Sequence, residues 1–273
     1  MLTLIIPLIL SRHLRTRYLL KPRDGMCSQH DHSWPELNIP QSQHAQPSDH
    51  HAFCNYANQW YQYLHVHYSG EEKHYFPAIE RLSRQGGLMS RNVDQHKAFQ
   101  DGVEEFSLYV QGCLNENPDF RGNELIRIID AFSEALIGHL NGEIETMLGL
   151  PEVGEERTAE ILDIHAQAVG GVLVRTCNMP IDEQHLLIAS PYNRKQGMVT
   201  RLPFAISNLD LHYDGGIRAK TFPPPEAAEP LFVIRHIGLW FHRDWWKFAS
   251  CDRLGNLQPL YAVPKKSKHY RSG

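Results

Sequence analysis

Three stretches of this 273-residue chain each set a histidine into an apolar stripe of helical period. The first runs Phe53, Ala57, Trp60, Leu64, His67, Glu71, His74, Ala78 and Leu82, at spacings of four or three. The second is His96, Phe99, Val103, Phe106, Val110 and Cys113, and the third Leu125, Ile129, Phe132, Leu136, His139 and Glu143. Such spacing marks the core-facing edge of a helix. An imidazole or a carboxylate on that edge is costly unless something pairs with it. Three such edges around one interior can give their polar side chains a common partner, and a metal ion is the simplest partner that satisfies them all.

The spacing sets the chemistry. His67-xxx-Glu71 and His139-xxx-Glu143 each place an imidazole and a carboxylate one turn apart on one helix face. Two antiparallel helices of this kind direct four ligands at one small space, and His96 brings a fifth from the third helix. Two carboxylates suggest bridging between cations, so a dinuclear iron or manganese site is the natural reading. A mononuclear iron or zinc site on the same five residues is an alternative. Each feature taken alone has a plainer explanation: a core histidine bonded to a backbone carbonyl, or a surface i,i+4 pair. Their coincidence on three stripes outweighs it. Glu72 reads as a solvated neighbour of Glu71, and His74 as a residue behind the ligands or a partly exposed one. The pair Gly138 and Gly142 reads as room for a neighbouring backbone.

Composition narrows the class further. With 42% hydrophobic and 21% charged residues, the chain resembles ordinary globular proteins. A net charge of −4 gives no reason to expect a nucleic-acid partner. The five cysteines are scattered without a CxxC pair, which argues against a disulfide framework or a zinc finger and fits a reducing compartment. Met1 to Leu10 is apolar but interrupted by Pro7, too short to span a bilayer and without the leading charge of a secretory signal. Five basic residues between Arg12 and Arg23 precede the first acid, a faint presequence pattern. A cytoplasmic location is expected, with mitochondrial as the alternative, and no membrane partner.

Along the chain, 1–47 reads as leader and irregular loop broken by Pro35, Pro40 and Pro47, with a remnant of a first helix as a further reading. Residues 48–150 read as a helical metal-binding bundle. Its helices are capped at Ser48 or Asp49, kinked or ended by Pro77, closed at Gly86-Gly87, then run from about 92 to 113 and from about 122 to 148. Residues 151–273 read as an extension packing on the bundle. It contains an amphipathic stretch over 155–168, a loop without a clean period over 170–198 and a helix over about 226–241. The cluster Trp240, Phe241, Trp245, Trp246 and Phe248 is expected to cover apolar bundle surface rather than dock a partner.

The run His67-Tyr-Ser-Gly-Glu71-Glu72-Lys-His-Tyr-Phe76-Pro77 resembles the second-helix signature of hemerythrin-like (HHE cation-binding) proteins. Asp94-Gln95-His96-Lys-Ala-Phe99 resembles the third-helix motif of that family, and Gly138-His139-Leu-Asn-Gly-Glu143-Ile the fourth. The stretches Trp245–Asp252 and Tyr261–Pro264 resemble the C-terminal extension of a fungal branch. The resemblance implies an all-α, up-and-down four-helix bundle holding a non-haem di-iron centre, with His67, Glu71, His96, His139 and Glu143 as ligands. It also implies dioxygen or a related small molecule as the ligand, for carriage, storage or sensing. The alternative is a degenerate bundle acting as a structural or interaction module. Two departures stand out. The family's first helix supplies another histidine, and here Cys27–Pro35 offers His30 or His32 without a helical stripe. The segment 171–199 reads as an insertion relative to the family.

Overall fold

The computed structural model describes residues 39–115, 120–148, 199–212, 219, 220, 222 and 228–263. The expected first helix, the stretch 155–168 and the insertion up to residue 198 lie outside them. Three long helical rods carry the three stripes. The first is α2 (His50–Gly70), continued by a π-helical turn (Glu71–Tyr75) and α3 (Phe76–Ser83). The others are α4 (Ser90–Asn115) and α5 (Gly122–Leu148). Ahead of them, α1 (Ile39–His44) is a short helix within the 1–47 stretch that was read as irregular or as a remnant of a first helix. Pro40 falls in its first turn, where the missing N–H has no intrahelical partner to lose.

The stripes go where their period sends them. On α4, His96, Phe99, Val103, Phe106 and Val110 are fully buried, and the α5 stripe from Leu125 to Glu143 is buried throughout. Each large apolar side chain so placed contributes about 1.5–3 kcal/mol. Trp60 of α2 meets Phe106 of α4 edge-on at 5.3 Å and Phe132 of α5 at 6.4 Å, which fixes the middle of the bundle. His67 lies late in α2, His96 early in α4 and His139 late in α5, so α4 runs antiparallel to both. The two His-xxx-Glu helices run parallel rather than antiparallel as expected, and the polar positions meet at one end.

One register slip separates expectation from structure. The first stripe was drawn through His74, but the π turn inserts an extra residue into the ladder. Phe76 N–H reaches back five residues to the Glu71 carbonyl. Tyr75 takes the core position with 0% exposure, and His74 turns out to solvent. Pro77 then enters at the start of α3 without ending the rod. The rod stops instead at Ser83, before Arg84, which holds a left-handed φ of 57°. Single π turns of this kind cluster at functional sites.

Further along lie α6 (Arg201–Ser207), α7 (Ala228–Val233), a second π turn (Ile234–Gly238), α8 (Leu239–Phe241) and α9 (Arg243–Trp246). The expected helix over 226–241 is thus broken by a π turn, and α6 and α9 are additional. Phe204, Trp246, Phe248 and Ala249 join the same buried core as the bundle stripes. Phe248 packs edge-on to Phe53 at 5.1 Å. The aromatic cluster divides at this point. Trp246 and Phe248 cover the bundle, while Trp240 and Phe241 are 67% and 56% exposed. Asp49 caps no backbone with its side chain and instead pairs with Lys247 at 2.7 Å. No helix among the described residues is long and apolar enough to cross a membrane.

Gly122, the first residue of α5, lets α1 approach. A Cβ there would run into the carbonyl oxygen of Ser42. Alanine for glycine in a helix normally gains up to about 1 kcal/mol. Here Gly122→Ala is expected to cost about 1–3 kcal/mol, because the obstacle is backbone and has little room to yield. Gly138→Ala meets nothing within 4 Å and should follow the ordinary rule. Thermal melts of the two variants should therefore shift in opposite directions.

Candidate metal centre

His67, Glu71, His96, His139 and Glu143 converge at the end of the bundle where the π turn lies, and none is more than 3% exposed. His67 Nε2 lies 3.0 Å from Glu71 Oε1, and His96 Nε2 lies 3.3 Å from Glu71 Oε2. The Nε2 atoms of His96 and His139 are 3.0 Å apart. Two groups of three donors result, Glu71 with His96 and His139, and Glu71 with His67 and Glu143. Within each group the donor atoms lie within 4.8 Å of one another. Glu71 belongs to both.

The electrostatics fit a cation. Burial, and next the neighbouring Glu71 carboxylate, push the Glu143 carboxyl well above its ordinary range, and the two side chains share a hydrogen bond. Glu143 Oε2 is a buried oxygen with no hydrogen-bond partner. Two buried carboxylates, one of them raised by the other's charge, with imidazole nitrogens converging beside them, form a donor set that divalent cations satisfy. The residues present fit a metal centre built on hard oxygen and imidazole nitrogen. The described cysteines, Cys54, Cys113 and Cys251, take no part in either group.

The surroundings are aromatic. Phe76 and Phe99 lie 5.4 and 5.6 Å from the His96 ring, Phe99 lies 5.5 Å from His139, and Tyr68 meets His96 edge-on at 5.8 Å. Burial pushes the Tyr68 phenol up to about 12. Tyr75 is raised well above 10 by burial, and then by the Glu143 and Glu71 charges it faces. Both phenols therefore keep their protons at neutral pH. Gly142 serves the approach of the helices, since a Cβ there would lie 2.8 Å from Gln95 Nε2; Gly138 has no such neighbour.

Glu72 overturns its reading as a solvated bystander. Its Oε1 accepts from His96 Nδ1 at 2.8 Å and from Gln100 Nε2 at 3.4 Å. Stripe analysis misses it because it lies one position off the core edge. The adjacent Glu71-Glu72 pair opening a turn beside a third-helix histidine was the available signal.

Two comparisons with known proteins return matches. The chain is 27% identical over 205 residues to "Dimeric xanthone biosynthesis cluster protein R11" of Cryptosporiopsis sp. (strain 8999). The aligned region covers 74% of this chain and 66% of that relative's length. No solved structure matches. The matched family is the Hemerythrin HHE cation binding domain. With its helical rods and buried histidine and glutamate groups, the chain carries a metal-binding hemerythrin HHE domain over residues 28–151.

Proposed function

We propose that the buried cluster is a non-haem di-iron centre, with His67, Glu71, His96, His139 and Glu143 as ligands, that binds dioxygen or a related small molecule for carriage, storage or sensing. The observation that carries this reading is the membership of Glu71 in both donor groups. One carboxylate with its two oxygens turned toward different imidazoles suits two cations better than one. Iron matches the mixture of imidazole and carboxylate donors without thiolate, and manganese is the nearest competitor.

When bound, a pair of non-haem irons supplies reversible two-electron exchange with dioxygen. The protein's own part is to hold the donors in place and exclude water. Phe76, Phe99 and Tyr68 wall the cluster with rings, and Tyr75 keeps a phenolic proton on the side of Glu71 and Glu143. A dry wall favours reversible binding over hydrolytic side reactions. On this reading the chain works in the cytoplasm, with no nucleic-acid or membrane partner.

The test is metal content per chain after production with iron available, combined with the absorption spectrum in air. About two irons per chain, with charge-transfer absorption that responds reversibly to removal of oxygen, is the expected result. One metal or none in a cooperatively folded chain would replace this reading with a mononuclear or degenerate module.

A further inference from the structure

Glu72 and Phe76 each reach from the histidine cluster to a surface groove, and of the two only Glu72 carries a charge. The groove, of about 270 Å³, is lined by Glu72 together with Phe76, Glu80, Met89 and Lys97, among others. The Glu72 side chain is 33% exposed, while the His96 ring it contacts is fully buried. Keeping part of the carboxylate in water limits its desolvation cost, yet one oxygen still reaches the interior.

The contact distinguishes the two nitrogens of His96. A carboxylate only accepts hydrogen bonds, so Nδ1, 2.8 Å from Glu72 Oε1, carries the hydrogen. In the neutral ring, Nε2 is then a bare lone pair. That lone pair faces His139 Nε2 at 3.0 Å and Glu71 Oε2 at 3.3 Å, the side a cation would occupy. Glu71 Oε2 competes for the hydrogen at Nε2, but at the longer 3.3 Å against 2.8 Å for Glu72. The aromatic neighbours of the ring do not make this choice. Phe76, Phe99 and Tyr68 restrict its plane through ring contacts, but a ring face or edge grips neither nitrogen selectively.

We propose that Glu72 is a positioning residue for the centre, fixing the orientation and tautomer of His96 so that Nε2 is presented as a ligand. This rests on reading the cluster as a metal site. Outer carboxylates on ligating histidines generally orient the ring and strengthen its donor nitrogen. Glu71 and Glu72 open the π turn side by side, and the approach of α4 lets the consecutive glutamates serve the cluster from inside and from its rim.

The test uses the full chain, with histidine side chains labelled with ¹⁵N and the protein stripped of metal. The wild type is expected to show His96 as the Nδ1–H tautomer. Glu72→Leu should mix or reverse that tautomer and weaken Co²⁺ binding about 10–100-fold. Glu72→Gln, whose amide oxygen still accepts, should restore most of both. An Nε2–H tautomer in the wild type would overturn the proposal, as would Glu72→Leu with tautomer and Co²⁺ affinity unchanged. Should Glu72→Leu fail to fold, the wild-type tautomer and the glutamine variant still decide it. A wild type that shows the Nδ1–H tautomer but takes up no Co²⁺ would sink the metal-centre reading and leave the positioning contact standing.

Discussion

Glu71→Gln is expected to remove tight metal binding and, in the same chain stripped of metal, to raise stability. The two effects have one cause. Glu71 is buried completely beside Glu143, where burial and the Glu71 charge hold the Glu143 carboxyl well above its ordinary range. Glutamine keeps the volume and the hydrogen-bonding capacity but removes one charge. The metal-free variant should gain about 1–3 kcal/mol, because a crowded buried charge is more costly than a neutral polar group. For a chain of this size that raises Tm by about 2–4 °C for each kcal/mol. The wild type should regain the advantage only with metal, where ligand at a thousand times Kd adds about 4 kcal/mol.

The pH dependence carries the same signature. The folded Glu143 carboxyl is held well above its ordinary value of 4.5, so it favours the folded state at low pH. That contribution is complete below about 4.5 and is lost as the pH rises through the folded value. Metal-free wild type should therefore lose stability between acid and neutral pH, and Glu71→Gln should flatten the slope. Denaturant melts across pH, with and without chelator, measure both. Equal slopes, or equal metal content in the variant, would remove Glu71 from the centre.

The helical stripes were legible because they obey one rule, the 3.6-residue period of an apolar edge, and that rule placed His96, His139 and Glu143 correctly in the interior. What the period could not show was a change of period. The π turn at Glu71 appears in sequence only through its consequence, with Tyr75 rather than His74 on the core side. Pro77 was the available hint, since it lacks the N–H that a regular ladder would use and its ring crowds the preceding turn. Reading it as a kink or an end did not recognise a local widening just ahead of it. The short helices α1, α6 and α9 were missed for another reason. Six, seven and four residues are too few to establish a period, and tertiary contacts hold them. Gln41 of α1, for example, donates to the Phe248 carbonyl at 2.7 Å and accepts from Ala262 N–H at 3.0 Å, contacts more than two hundred residues apart in sequence. Glu72 lay off the stripe, and only the approach of α4 gives it a role.

A similar long-range contact makes Asn208→Ala the most damaging substitution expected outside the metal cluster. Asn208 is 2% exposed, just beyond α6. Its Oδ1 accepts from Tyr56 hydroxyl at 2.8 Å, from Ser250 N–H at 3.0 Å and from Ser250 hydroxyl at 3.3 Å. Its Nδ2 donates to the Phe204 carbonyl at 2.8 Å. One side chain thus ties α2, α6 and the stretch after α9 together, among the packed rings of Tyr56, Phe204 and Phe248. Alanine withdraws an acceptor from several buried donors at once, each worth about 1–3 kcal/mol when left unmatched. The expected loss is about 2–4 kcal/mol, with Tm falling by about 10 °C. Metal content of the folded fraction should not change. Tyr56 stands eleven residues before His67 on the same helix, about 16 Å along its axis. Loss of metal at unchanged Tm would instead mean that the C-terminal stretch shapes the centre directly. Unchanged melting together with unchanged metal content would show that the three segments are held by ring packing alone.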